Sequence, residues 1–168
     1  MRFYFGVMAL LVFLFSGCIK HSNQPLRKNN RQKAVVNAGS LKSISPKLLT
    51  DDVNRTIEFY KDKFGFEVLA TVPDTGRYNL AIAGNGKVEI MFMTRERFAE
   101  EYGMFKDAQP GGTFCLSIET NDIVPLFEKS SDGAVIVKEL HQTFYGTKEF
   151  SVKDNNGYIL TFSENMKK

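Results

Sequence analysis

Cysteine is scarce in this chain of 168 residues, and acidic residues are missing from its first part. Two cysteines, Cys18 and Cys115, exclude the disulfide framework of a small secreted domain. Residues 1–50 hold 8 of the 22 basic residues and none of the 19 acidic ones, so residues 51–168 carry a net charge of −5. A domain of that charge is not expected to bind nucleic acid. Phosphate-binding loops, catalytic triads and zinc-protease motifs are absent from the sequence too.

The sequence also lacks a long apolar run, because the apolar run near its start is short. Arg2 precedes an apolar segment over residues 7–15, and Phe15-Ser-Gly-Cys18 ends it with small residues before a cysteine. A spanning helix needs about 20 apolar residues. The pattern of residues 1–18 resembles a bacterial lipoprotein signal, which implies that Cys18 is acylated and becomes the mature N-terminus. An uncleaved anchor or a plain secretory signal is the alternative.

The lipoprotein resemblance implies a membrane-anchored protein of the cell envelope that faces the periplasm or the outside. Residues 19–42 are polar, basic and without sustained periodicity, which predicts a disordered linker. This basic linker could lie against anionic lipid headgroups, but a solvated spacer is the preferred interpretation. Residues 43–166 then form a single domain, whose core can draw on most of the 15 phenylalanines.

The clearest local pattern lies between residues 50 and 72. An apolar stripe at helical spacing is formed by Val53, Ile57, Tyr60 and Phe64. Asp51 or Asp52 is placed to cap this helix, and Gly65 is placed to end it in a left-handed turn. The apolar period then changes to two over residues 66–72, which predicts a strand that follows the helix directly.

The same order of elements is expected twice. Strands are predicted over residues 44–49, 66–72, 78–83, 87–93, 113–119, 134–140, 148–152 and 158–162. Helices are predicted after Asp52, over residues 95–102 and over residues 122–129, and Ile57 and Phe127 are expected to be buried beneath their own sheets. The repeat β-α-β-β-β, with Asp52 and Asp122 in matching places, predicts an α+β fold. The two βαβββ modules should form a half-open barrel with a central cleft and the helices outside.

Several of these residues carry a resemblance. An aspartate that opens a helix, Phe59-Tyr60 further on and then Lys63-Phe-Gly-Phe-Glu-Val68 resemble the signature of the vicinal oxygen chelate superfamily. That superfamily contains glyoxalase I, extradiol dioxygenases and the bleomycin- and fosfomycin-resistance proteins. Residues 150–162 are similar to the family's closing strand–turn–strand. The resemblance implies the fold but not one chemistry, because widespread folds support many functions.

Metal-dependent members of the family hold a divalent ion at four strand positions with His and Glu. The resemblance assigns these positions to Ser45, Glu89, Cys115 and Thr161. Of these side chains, only that of Glu89 is a ligand that hard divalent cations prefer, and neither His21 nor His141 is placed to restore the site. We therefore expect no metal and no other cofactor.

Strand alternation predicts which side chains face the cleft. The expected lining is Lys47, Glu89, Met91, Cys115, Ser117 and Thr161, with His141, Phe144 and Tyr145 in a loop near the mouth. Structural alternatives stay open for several of them. Cys115 is more simply a small buried residue, and a Lys47–Glu89 salt bridge is as well supported as a ligand contact. Met91 could be core filling, and the loop rings could plug the barrel end or stack on a ligand.

Three functions follow from these residues. The first is a metal-free, membrane-tethered protein of the bleomycin-resistance type that sequesters or carries a small apolar or aromatic molecule. The second is a metal-dependent lyase, isomerase or dioxygenase of the same superfamily, to which Glu89 points. The third is a non-catalytic scaffold lipoprotein of the cell envelope. A homodimer is one assembly that the sequence leaves open.

Overall fold

The structure is a computed structural model that describes residues 42–166. The signal segment, the acylated Cys18 and nearly all of the expected linker lie outside the described residues. Among residues 42–166, no helix is both long enough and apolar enough to cross a membrane.

Two modules of the order β-α-β-β-β follow one another, as the sequence predicts. The strands are β1 Lys47–Thr50, β2 Glu67–Val72, β3 Leu80–Asn85, β4 Val88–Thr94, β5 Cys115–Glu119, β6 Val135–Gln142, β7 Thr147–Lys153 and β8 Ile159–Asn165. The helices are α1 Val53–Phe64, α2 Arg95–Glu101 and α3 Ile123–Ser131, and a 3-10 turn spans Gly103–Phe105.

Each module forms its own four-stranded sheet. The first has the order β1-β4-β3-β2 and the second β5-β8-β7-β6. In each sheet the first strand pairs in parallel with the last, and the other pairs are antiparallel. The sheets do not close into a full barrel. The predicted α+β fold with a half-open barrel is therefore confirmed.

Residues in the local sequence cap helix α1 at both of its ends. Asp52 has an extended backbone, and its Oδ1 accepts a hydrogen bond from the backbone N–H of Arg55 at 3.0 Å. Gly65 has φ 68°, a left-handed conformation in which its N–H reaches the carbonyl of Lys61. The helix therefore ends in one residue and delivers the chain into β2.

One core is shared by both modules. The helix-facing residues of both sheets pack with α1 and α3 into a single cluster, in which Phe64 of α1 lies 5.3 Å from Phe162 of β8 between ring centroids. Phe150 stacks on Phe162 at 5.1 Å, and Phe127 of α3 meets Phe150 edge-on at 5.2 Å. The opposite face of each sheet points away from this core. We call these two surfaces the open faces.

Polar side chains in the loop between β7 and β8 also join the modules. The hydroxyl of Tyr60 donates to Oδ2 of buried Asp154 at 2.8 Å, and the hydroxyl of Tyr158 donates to the carbonyl of Leu49 at 3.1 Å. Asn156 bonds the side chains of Thr50 and Thr56. Burial raises the pKa of Asp154 above its ordinary value of 3.8, against the lowering effect of its hydrogen bonds.

Three expectations from the sequence need correction. Strand β1 begins at Lys47 rather than at residue 44, because Pro46 has no N–H for the ladder and offers only its carbonyl, to the N–H of Met91. Strand β6 continues to Gln142, so His141 lies in a strand rather than in a loop. Phe127, expected to be as buried as Ile57, is only half-buried against the core.

Candidate functional site

The open face of the first sheet is largely apolar. Strand register places Met91 beside Ile82, Met93 beside Leu80, and Leu80 beside Val72 on this face. Gly84 leaves room for Leu69, because a Cβ at that glycine would lie 2.9 Å from Leu69 Cδ1. Lys47, Glu67 and Glu89 supply its charges. The surface combines extensive aliphatic area with a few charged groups.

Helix α2 and the 3-10 turn cover one end of this face. Leu49 is 5% exposed and Met93 is fully buried, although neither belongs to the shared core cluster. Helix α2 contacts their strands, β1 and β4, and contains no buried residue of its own. We call residues 95–105, which comprise α2, Tyr102 and the 3-10 turn, the lid.

Three rings on the lid were missed by the sequence analysis. Phe98 lies 5.6 Å from Tyr102 and 5.5 Å from Phe105 between ring centroids, and the last two lie 6.1 Å apart. Their spacing at i, i+4 and i+7 is a helical stripe and was the available signal. The trio adds aromatic surface beside the apolar open face.

The lid is held to β1 by a side chain that was predicted for the cleft. The Lys47 ammonium donates to Glu101 Oε1 and, at 3.0 Å, to the Tyr102 hydroxyl. Its hydrogen bond with Glu101 raises the pKa of Lys47 and lowers that of Glu101. The alternative Lys47–Glu89 salt bridge is therefore wrong. Lys47 lies beside Met91 in the register, whereas Glu89 is two residues earlier in β4 and is exposed.

The open face of the second sheet is polar instead. Cys115, Ser117 and Glu119 alternate along β5, and Thr161 lies beside Ser117. The hydroxyl of Thr161 is hydrogen bonded to that of Ser151 at 2.9 Å. Cys115 is exposed, so the interpretation of this residue as a small buried side chain is wrong. Its strand partner Ile159 is on the same open face, and only the alternate positions of β5 point to the core.

A polar cluster lies at the β6–β7 hairpin. Oε1 of Glu149 accepts hydrogen bonds from the Tyr145 hydroxyl at 3.0 Å and the Thr147 hydroxyl at 2.9 Å. This carboxylate raises the pKa of Tyr145. His141 pairs with Glu149 across the strands, and its Nδ1 lies 2.8 Å from the carbonyl of Glu139. Glu149 was not foreseen, since nothing in its local sequence distinguishes it from a solvated strand glutamate.

Phe144 occupies the tip of this hairpin and is 100% exposed. Its ring meets that of Tyr145 edge-on at 4.9 Å. A fully exposed ring does not plug the barrel of its own chain, so that alternative fails for Phe144. The ring stays available to a ligand or partner.

The nine predicted residues thus fall into two groups. The first sheet carries Lys47, Glu89 and Met91, and the second carries Cys115, Ser117, His141, Phe144, Tyr145 and Thr161. Within residues 42–166, no hydrogen bond joins the two groups. Neither of two cavities in this part of the chain, of about 780 and 430 Å³, is lined by any of them. A single cavity lined by both groups stays a prediction.

Register also refines the metal positions implied by the resemblance. In the second module Thr161 lies beside Ser117, two residues after Cys115. The matching pair of the first module is Lys47, two residues after Ser45, and its partner is Met91. The next residues on each last strand, Phe92 and Phe162, are both buried in the core and support this correspondence. Met91, rather than Glu89, is therefore the counterpart of Thr161.

The donors at these positions do not fit the family's divalent ion. Two hydroxyls, a thioether and a thiol are supplied by Ser45, Thr161, Met91 and Cys115, whereas such ions take carboxylates and imidazoles. The Thr161 hydroxyl is already engaged by Ser151. Among residues 42–166, no three His, Cys, Asp or Glu side chains are grouped closely enough to hold a metal ion.

Comparison with known proteins agrees with this architecture. Residues 41–162 match the model of the Glyoxalase/Bleomycin resistance protein/Dioxygenase superfamily. TioX from Micromonospora sp. ML1 is similar at 21% identity, with 74% of this chain and 99% of that chain covered and a TM-score of 0.60. A glyoxalase/bleomycin resistance protein/dioxygenase from Nocardioides is 17% identical, with 78% and 88% covered and a TM-score of 0.62.

A virulence protein from Salmonella typhimurium is similar too, at 21% identity, with 75% of this chain and 98% of that chain covered and a TM-score of 0.57. At such identities the likeness shows the fold alone. No curated protein sequence gives a significant match. The family match spans most of the chain, and the protein belongs to the glyoxalase/bleomycin resistance protein/dioxygenase superfamily.

Proposed function

We propose that this protein binds a small apolar or aromatic molecule without a metal and sequesters or carries it, in the manner of bleomycin-resistance proteins. The observation that carries the proposal is the pair Met91 and Thr161 at the matching fourth-strand positions. Lyases and dioxygenases of this fold polarise vicinal oxygens with a metal that acts as a Lewis acid. A thioether and a hydroxyl are poor ligands for such an ion.

The two open faces differ in a way that suits binding. The first presents aliphatic and methionine side chains, with the lid rings at one end. The second presents hydroxyls, Glu149 and His141. Small-molecule sites typically combine a large apolar area with a few polar groups that orient the ligand. An amphipathic ligand would place its apolar part against the first face and its polar part against the second.

A second copy of the chain is the proposed partner that completes the cleft. Apolar side chains remain about half exposed at the outer strands of both sheets, as for Leu69 at 54% and Val135 at 55%. Phe144 at the hairpin tip is fully exposed. Exposed apolar side chains on sheet strands are often covered in an assembly. In a homodimer, each cleft would take one open face from each chain.

Membrane tethering through acylated Cys18 belongs to the same proposal, and it rests on Phe15-Ser-Gly-Cys18 after an apolar run. The intact mass of the mature protein tests it directly. We expect acyl chains on Cys18, and a Cys18→Ser variant that stays unprocessed and unlipidated. A free N-terminus at another residue would overturn the lipoprotein assignment without affecting the binding proposal.

The binding proposal is tested by screening a panel of aromatic and amphipathic compounds for thermal stabilisation of the purified chain. A hit should lose its effect in Ile82→Asp, which places a charge on the first open face, and keep it in Val124→Asp, on the exposed side of α3. If no compound stabilises the protein, the scaffold function replaces this one. Turnover of a methylglyoxal–thiol adduct or a catechol, lost in Glu89→Gln, would establish the enzyme alternative.

A further inference from the structure

The larger cavity, of about 780 Å³, lies between the two modules, and of the open-face residues named above only Glu119 lines it. Its floor consists of the core residues Phe64, Phe66 and Phe162, all buried. Its wall includes the half-buried Val88, Ile118 and Leu126. We call this space the junction cavity. Its volume falls within the range of about 300–1,000 Å³ that is usual for ligand pockets.

The internal repeat explains why this space is open. In the first module, the end of β1 and the start of α1 are met by the five-residue loop 154–158 between β7 and β8. Asn156 of that loop reaches the side chains of Thr50 and Thr56, and Tyr158 reaches the carbonyl of Leu49. This junction is therefore filled by polar side chains of the chain itself.

In the second module, the equivalent place is the end of β5 and the start of α3. The matching connection between β3 and β4 has only two residues, Gly86 and Lys87. Gly86 has no side chain and a Cβ there would meet no atom within 4 Å, so Lys87 is the residue of this turn whose side chain lines the space. The junction cavity therefore lies where the second module has no residue equivalent to Asn156.

The rim of the junction cavity carries charges of both signs. Lys87 and Lys129 are the cations, and Glu119 and Asp122 are the carboxylates. Among residues 42–166, none of these four side chains forms a hydrogen bond or a salt bridge. Asp122 does not cap α3, although its counterpart Asp52 caps α1. Both carboxylates and both ammonium groups are therefore available to a ligand.

We propose that the junction cavity binds a small aromatic zwitterion of the chemical class of a free aromatic amino acid. Its ring would lie against the half-buried Val88, Ile118 and Leu126, beneath which the phenylalanines of the floor are almost fully covered. Its carboxylate would face Lys87 and Lys129, and its ammonium group would face Glu119 and Asp122. This site shares only Glu119 with the open faces and does not depend on the function proposed for them.

Because the chain contains no tryptophan, indole compounds can be followed by their own fluorescence. Fluorescence anisotropy of L-tryptophan is titrated with the purified chain, beside tryptamine, which lacks the carboxylate, and indole-3-propionate, which lacks the ammonium group. We expect L-tryptophan to bind about tenfold more tightly than either analogue, since each has lost one charged contact.

Exposed charged residues on the rim allow variants that should leave the fold intact. Lys87→Glu should weaken binding of L-tryptophan and indole-3-propionate, and Asp122→Asn should weaken binding of L-tryptophan and tryptamine. Lys106→Glu, an exposed lysine outside the rim, repeats the first charge change as a control. Absence of L-tryptophan binding, or binding that both rim variants leave unchanged, would overturn the proposal. Loss of binding in Ile82→Asp would assign the ligand to the open face instead.

Discussion

At the scale of single residues, the join between the modules depends on a buried hydrogen bond. Tyr60 is fully buried and donates to Asp154 from the other module at 2.8 Å. Burial and the neighbouring Asp154 carboxylate raise the pKa of Tyr60 well above its ordinary value. The phenol therefore stays protonated and remains a donor at neutral pH.

Tyr60→Phe should lower the free energy of unfolding by about 1–3 kcal/mol, because it leaves the Asp154 carboxyl without its side-chain donor. Urea denaturation measures this difference. Tyr78→Phe, at a half-buried tyrosine beside the same core, is the control. An equal loss in both variants would show that the hydroxyl of Tyr60 is not the cause.

The raised pKa of Asp154 sets the direction of a pH effect. The folded state favours the protonated carboxyl, so the stability linked to this group is complete below the ordinary pKa of 3.8 and is lost as pH rises through the folded-state pKa. Asp154→Asn does not titrate there. Denaturation of both proteins across this pH range should show that the free energy of unfolding of Asp154→Asn increases relative to that of the native protein as pH rises. A change of the opposite sign would contradict the account.

Phe64 provides a test of the shared core. Phe64→Ala should cost about 3–5 kcal/mol, because the ring packs against both modules and its removal leaves a void. The fully exposed Phe144 is the matched control, and Phe144→Ala should change stability by less than about 0.5 kcal/mol. Similar costs at the two positions would rule out the proposed core.

At the scale of elements, local sequence predicts most of what the structure contains. The helical stripe of α1, its Asp52 cap and Gly65 all have local causes, and the structure confirms each. The lid is different. Helix α2 was expected, but its docking depends on the Lys47–Glu101 contact, 54 residues apart in sequence. A local pattern holds no information about such a pair.

The lid should be the least protected helix of the fold. Glu101→Gln weakens its connection to Lys47, and amide hydrogen exchange within Arg95–Glu101 should become faster. Global stability should hardly change, since exposed ion pairs contribute little. Glu100→Gln, which breaks the lid's own pair with Arg97, is the control. Unchanged exchange in Glu101→Gln would show that this contact does not hold the lid.

At the scale of the whole molecule, the repeat made the architecture predictable. Alternation also gave the correct faces in β4, where Ile90 and Phe92 lie in the core. It failed in β2, because the register shift between Val68 and Ala70 leaves Phe66 in the core but turns Val72 to the open face. The pairing between strands was not available from the sequence. It assigns Met91 to the position that resemblance alone gave to Glu89, and it depends on which residues of β1 and β4 meet. The junction cavity likewise follows from unequal loops that come together only in the folded chain.

The central claim is binding without a metal, and one measurement tests it most directly. The purified chain is analysed for Ni, Zn, Fe and Mn, and its melting temperature is recorded with and without these ions. We predict no stoichiometric metal and no shift in melting temperature, because an ion stabilises a protein only by binding its folded state. A stoichiometric ion that raises the melting temperature would contradict the account, and its loss in Glu89→Gln would identify Glu89 as a ligand.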